Sequence, residues 1–383
     1  MKKFLLSAFA VLSAVMLYAD SQTEIFNRTT KYLDKGGILF QFYNTENLEQ
    51  QLESFLLLGA ENSTACSLPL GINIFKQFSK YLELNALQGV GISVKDLFPV
   101  IAPLKISPLY QNKSFIAVEP KSSGSIFAAA RDGNIKFTAA KNLPDNTIFA
   151  IGVNLNMLNV YSNIERSAAN SDMLKNISAS FELNFDVRLN DFMKNISGEY
   201  FFAVYKDKGS ENFHFLAYMP DKNAILEKLV KQRMAPLMKV YKDKSASLQM
   251  PMQPGRFGNA FTVYFAQNRV FVYNSNAPLA ALLNSGQQKK LLASVNPEIF
   301  GFLLNCEGNS YVVLNLDTAI IDKSVARRQY QFGSVGTMTP DGYLQNGKSN
   351  YNIFNFSEYL PIVEIIKNLK VNEDASPLNA PLQ

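Results

Sequence analysis

The sequence predicts an α+β fold: largely antiparallel sheets with short amphipathic helices packed on one face. Three observations carry that expectation. Short runs rich in aromatic and β-branched residues recur between turn signals, as strands require. Apolar stripes at spacings of three and four follow several of those runs, as helices covering a sheet would. Finally, Phe261-Thr262-Val263-Tyr264-Phe265 and Val270-Phe271-Val272-Tyr273 flank a turn at Gln267-Asn268 with the spacing of a β-hairpin.

Before the first strand, Lys2 and Lys3 lead an apolar, uncharged run over residues 4–18 that ends in Ala19-Asp20. Basic, hydrophobic and small-residue regions in that order read as a secretory signal. The run is roughly 15 residues long, short of the ~20 that cross a bilayer as a helix, so cleavage competes well with retention as an anchor. Leu17-Tyr18-Ala19 is an imperfect recognition triplet, because Leu17 is larger than usual there. Residues 1–19 are therefore expected to be removed. The rest is expected to be periplasmic or secreted, and not an integral membrane protein after cleavage.

The first strand signal is Gly37 to Tyr43. A helix is expected after it, with Leu48, Leu52, Phe55 and Leu56 on one face and Gly59 as its stop. Thr147 to Val153 repeats the strand, followed by a helix through Met157, Leu158, Tyr161 and Ile164. Glu199 to Tyr205 and Phe213 to Tyr218 read as two more strands. Pro220-Asp221 then opens a helix with Ile225, Leu226, Leu229 and Val230 as its apolar stripe, ending before Pro236. After the hairpin, Asn276 and Pro278 start a short helix through Leu279, Leu282 and Leu283. Further strands are expected around Tyr311 to Leu314, Gln331 to Val335 and Tyr351 to Phe354. A last helix from Ser357 to Leu369 would bury Leu360, Val363 and Ile366.

A partial internal echo points to tandem units. Leu143-Pro144-Asp145-Asn146-Thr147-Ile148-Phe149-Ala150-Ile151 resembles Val295-Asn296-Pro297-Glu298-Ile299-Phe300-Gly301-Phe302-Leu303. The competing reading is that any Pro-acidic turn before a buried strand looks like this. Units are placed at 20–141, 142–293 and 294–371, the last β-rich with the final helix, followed by a tail at 372–383 that is poor in apolar residues.

The lead-in at Leu143-Pro144-Asp145, the run Ile196-Ser197-Gly198-Glu199-Tyr200 before a strand, and the hairpin from Tyr264 to Asn274 feeding a helix together resemble a family of uncharacterised exported bacterial proteins, a domain of unknown function. The resemblance covers residues 140–305. It implies an envelope location and a strand-helix repeat, and carries no activity or catalytic residue.

Composition narrows the function classes. With 47% hydrophobic and 18% charged residues, 29 Phe and 17 Tyr, the 383-residue chain has material for an extensive core and is not disordered. A formal charge of +5 predicts no nucleic-acid partner. The single histidine, His214, lies between two phenylalanines in an expected strand, which suits a sheet residue better than a general base. Neither Ser-x-x-Lys nor Gly-x-Ser-x-Gly occurs, so serine-lysine and α/β-hydrolase chemistry is disfavoured. No cofactor, metal or catalytic residue is expected. Glu199, Asp191 and Glu358 are only arbitrary choices for a carboxylate pair.

Two further features stay open. Cys66 and Cys306 could form a disulfide across a long loop, or stand apart as buried thiols. Lys228, Lys231, Arg233, Lys239, Lys242 and Lys244 could contact an anionic surface, or form the solvated face of the helix that carries the Ile225/Leu229 stripe. The functional expectation is an exported, non-enzymatic envelope protein that binds another protein or serves as a structural module. The alternatives are a carrier of a lipid or acyl ligand in an apolar groove and, least favoured, a carboxylate-dependent hydrolase. The first of these readings rests on polar side chains that do not converge into reactive machinery.

Overall fold

The structure, a computed structural model, describes residues 23–45, 87–97, 108–118, 133–167, 172–206, 212–240, 245–255, 257–275, 290–321 and 327–352. The expected signal at 1–19, the helices expected near 48–56, 279–283 and 357–369, and the tail at 372–383 lie outside these residues.

Among the described residues, fifteen strands run in chain order: β1 (Leu39–Asn44), β2 (Leu87–Asp96), β3 (Tyr110–Val118), β4 (Ile135–Lys136), β5 (Thr147–Leu155), β6 (Gly198–Tyr205), β7 (His214–Pro220), β8 (Met238–Val240), β9 (Ala246–Gly255), β10 (Gly258–Ala266), β11 (Arg269–Tyr273), β12 (Glu307–Gly308), β13 (Ser310–Asp317), β14 (Gln329–Thr339) and β15 (Gly342–Ser349). Thirteen of them form one open sheet in the order β1-β2-β3-β15-β14-β13-β5-β6-β7-β11-β10-β9-β8, while β4 and β12 pair separately. Every neighbouring pair is antiparallel.

The strand order has an internal symmetry. Outward from the central β5–β13 pair, one half runs β5-β6-β7-β11-β10-β9 and the other β13-β14-β15-β3-β2-β1. In each half three consecutive strands meander, and three more come back from the outside in. The first half is contiguous in sequence. The second is assembled from two distant stretches of the chain.

The α+β expectation, with helices on one face of several sheets, is overturned by this single large sheet. Its helices are short: α1 (Met157–Ser167), α2 (Asp172–Phe185), α3 (Leu189–Asn195), α4 (Ile225–Met234), α5 (Pro297–Phe300) and α6 (Thr318–Ile321), with a further helical stretch at 23–30. They also lie on both faces. Leu33, just past the helical stretch at 23–30, packs with Phe115 and Ala117 on one face. Leu226 and Val230 of α4 pack on Ala246, Phe265 and Val270 on the other. The reason is written in the strands: β6 points Phe201, Ala203 and Tyr205 to one side and Tyr200, Phe202 and Val204 to the other. A sheet apolar on both sides needs cover on both.

The two faces are named here by Tyr311 and Phe202. Over the centre of the Tyr311 face, Phe137, Leu143, Leu292, Ile299, Phe300 and Leu303 close on Phe201, Tyr218, Phe271 and Tyr311. Gly152 on β5 lies directly opposite Tyr311 on β13, and a β-carbon there would collide with the tyrosine ring. Bare backbone at that point lets Tyr311 lie across the midline, edge-on to Phe137 at 4.9 Å.

The echo is also corrected. Residues 147–155 are a strand, whereas 297–300 are helical and 301–305 form a 3₁₀ turn, because Pro297 sits in the first turn, where a missing N–H costs nothing. The two lead-ins nevertheless meet. Leu292 N donates to Leu143 O at 2.8 Å and Asp145 N to Lys290 O at 2.9 Å, next to matching 3₁₀ turns at Ala140–Asn142 and Leu292–Ser294.

Candidate functional site

The Phe202 face carries an open groove near its centre. Register explains its shape. Ile151 pairs with Phe202, Phe202 with Ala217 and Ala217 with Val272, a row of side chains running across β5, β6, β7 and β11. Ala217, the smallest member, makes the floor. Val153 and Tyr200, paired on β5 and β6, form one side, and Met219 and Val270, paired on β7 and β11, the other. The groove holds about 340 Å³, and every residue lining it is uncharged. Phe202 remains 38% exposed inside it. The Tyr200 hydroxyl donates to Ile196 O at 2.5 Å, which fixes that wall, and burial pushes the phenol up to about 12.

Opposite this groove, on the Tyr311 face, polar groups remote in sequence do come together. Glu199 of β6 accepts hydrogen bonds from Thr138 N at 3.2 Å, Thr138 Oγ1 at 2.9 Å, the Tyr218 hydroxyl and Arg269 at 3.1 Å. The Arg269 guanidinium stacks on the Tyr218 ring at 4.5 Å from its centroid. Polar side chains remote in sequence thus converge here, from β6, β7, β11 and the segment before β5. Among the three carboxylates considered, only Glu199 is in the cluster; Asp191 lies in the first turn of α3, and Glu358 is outside the described residues. Sequence reasoning missed Thr138, Tyr218 and Arg269, since each reaches the cluster from a different element. The available signal was that Glu199, Tyr218 and Arg269 all fall on the same alternation as the core residues of their strands.

Around the network, burial keeps the phenols and the thiol of the core protonated. The hydroxyls of Tyr205, Tyr218 and Tyr311 are all raised above the ordinary tyrosine range, with burial as the leading cause. The Cys306 thiol is pushed from 9.0 up to about 12 by burial and then by the nearby Glu199 carboxylate. Cys306 is a buried free thiol, and Cys66 lies outside the described residues.

A second, polar cavity of about 260 Å³ adjoins Arg269 beneath the β10–β11 hairpin and the start of α4. Its buried wall residue Asp221 caps α4, accepting from Leu226 N and Glu227 N at 3.0 Å each, and receives Asn195 Nδ2 at 2.6 Å. The basic residues extend from this helix. Lys231 pairs with Glu227 at 2.5 Å, one turn earlier. Arg233 donates to Asn184 O at 2.9 Å and stacks on Phe185, so it fastens α4 to α2. Lys228 and Lys239 are exposed, while Lys242 and Lys244 fall outside the described residues. His214 opens β7, opposite Tyr205 of β6.

Among the described residues, no group of three or more His, Cys, Asp or Glu side chains could hold a metal ion, and no helix is long and apolar enough to cross a membrane. No protein-family model, no curated protein and no solved structure matches this chain.

Proposed function

We propose that the chain is an exported, non-enzymatic binding module whose groove on the Phe202 face takes up an apolar segment of another envelope protein. The observation that carries this reading is the groove's lining of aliphatic and aromatic side chains, with Phe202 left open to solvent. Its volume falls within the ~300–1,000 Å³ of ligand sites. Aromatic side chains in a partly desolvated depression are the usual anchors of a protein interface. A lipid with an anionic headgroup is the weaker occupant, because the lining offers no cation to hold the head. Export is supported by the signal-like residues 1–19 and by the resemblance to exported proteins of unknown function.

The Glu199 network fits the non-enzymatic part. Its carboxylate already accepts four hydrogen bonds from within the fold, and its cation is committed to the same carboxylate and to Tyr218. Such a group clasps β6, β7, β11 and the segment before β5 together; it does not stand ready to move a proton.

Photocrosslinking tests the proposal. With benzoylphenylalanine in place of Phe202, irradiation in the native envelope is expected to give a discrete protein adduct, lost when Ala217→Phe fills the groove. An adduct to lipid alone would transfer the site to an acyl ligand, and the absence of any adduct dependent on Ala217 would overturn the groove as a binding site.

A further inference from the structure

Beyond the groove, the two ends of the sheet differ in a way the strand order makes visible. In the contiguous half β9 is covered on its outer side by β8. The equivalent strand of the other half is β1, and among the described residues no strand lies beyond it. β8 is a guarded edge: it has three residues, includes Lys239 and follows Pro236 closely. β1 has six residues, Leu39-Phe40-Gln41-Phe42-Tyr43-Asn44, with neither charge nor proline. Around it Ile38 is 56% exposed and Tyr43 52% exposed, and Phe26 packs edge-on against Phe42 while still facing solvent.

The direction of the main chain follows from its end. Thr45 N donates to Gln88 O on β2, so by alternation Tyr43, Gln41 and Leu39 also turn their backbone groups towards β2. Phe40 and Phe42 therefore turn theirs outward, to the open side. An uncharged, outward-facing row of this kind is a template for another strand.

We infer that β1 is a dimer interface, pairing antiparallel with β1 of a second copy so that one sheet continues through both subunits. Faces match only when residues of like orientation stand opposite one another. A two-fold axis through Gln41 meets that condition and places Phe40 against Phe42 of the partner subunit on the Tyr311 face. Leu39 then meets Tyr43 of the partner subunit on the Phe202 face, and Gln41 meets its own copy. The outward N–H and C=O groups of Phe40 bond those of Phe42 of the partner subunit, and the reverse. The strand is thus complementary to itself in side chains as well as backbone, which is why a second copy is the occupant chosen.

Gln41 is exposed and sits on the axis, which supplies the test. Sedimentation equilibrium of the purified chain is expected to give twice the monomer mass. Gln41→Lys and Gln41→Glu are each expected to sediment as monomers, because like charges would face one another directly across the two-fold. Their equimolar mixture should regain the doubled mass. Gln41→Ser, which adds no charge, should remain dimeric, and unchanged far-UV circular dichroism in all variants would show that the fold is intact. A monomeric wild-type chain would overturn the inference. So would assemblies of any size whose mass ignores both charged substitutions, as pairing of β1 with β8 of a next copy would produce.

Discussion

The two halves of the sheet reach one strand order by different routes. The half from β5 to β11 is a single stretch of chain, with its connections made locally and its three-strand return closed by the Gln267-Asn268 hairpin. The other half joins β13–β15 to β1–β3, so its β15–β3 pairing unites residues such as Asn346 and Lys113. It is tied further by Asp341, which receives Lys31 and Tyr32 from beside the N-terminal helical stretch. Closing so distant a contact costs more chain entropy than closing a hairpin. The same architecture can therefore have a robust half and a detachable one.

The sharpest way to break that comparison is to remove Phe115, which is fully buried on β3 and stacked on Tyr32 at 4.4 Å. Phe115→Ala is expected to destabilise by ~3–5 kcal/mol in urea unfolding. In native-state hydrogen exchange it should release β1–β3 while β5, β6, β7 and β11 keep their protection. Phe271→Ala, equally buried in the contiguous half, should lower protection everywhere. If both variants release the whole sheet together, the halves are one cooperative unit and the distinction fails.

A smaller effect is expected at the Glu199 clasp. Glu199→Gln keeps the shape but leaves Arg269 without its counter-charge. Since Arg269 is partly exposed, about 1–3 kcal/mol is expected, below the figure for a fully buried pair. Replacing both residues with Gln and Met should recover part of the loss. An unchanged stability in Glu199→Gln would mean that the network contributes nothing to the contiguous half.

The least costly perturbation is alkaline pH. Burial favours the protonated Cys306 thiol and Tyr200 phenol, both raised to about 12. The unfolded chain loses these protons near 9.0 and 10.0, so their contribution to stability is complete below those values and is lost as pH rises towards 12. In a Cys66→Ser variant, Cys306 should stay inert to a thiol reagent at pH 8 and react only on denaturation. Reaction in the native state at that pH would show that the core over the Tyr311 face opens readily.

Sequence patterning was uneven within both halves of the sheet. β5, β6, β7, β10 and β11 follow alternating aromatic and branched residues, and the α4 stripe packs through Leu226 and Val230 as periodicity implies. β2, β3, β9 and β15 went unread. In β2, Gly89 and Gly91 stand where core residues belong, because Thr29 and Leu33 press against the strand there. β9 contains Pro251 and Pro254, ordinarily strand breakers, and β15 is mostly polar with Gly347 set against Ser334. The groove was illegible for another reason: Phe202 and Ala217 are plain strand residues until register aligns them. The same holds for Glu199, whose partners come from Thr138, Tyr218 and Arg269.

The arrangement of the second half has one more consequence. A reordered gene that placed the codons of β13–β15 ahead of those of β1 would encode two successive modules of matching design, each a meander followed by its returning strands. Circular permutation is therefore the direct experiment: a permutant that folds to the same sheet would show that the second half does not depend on the order in which its two stretches follow one another.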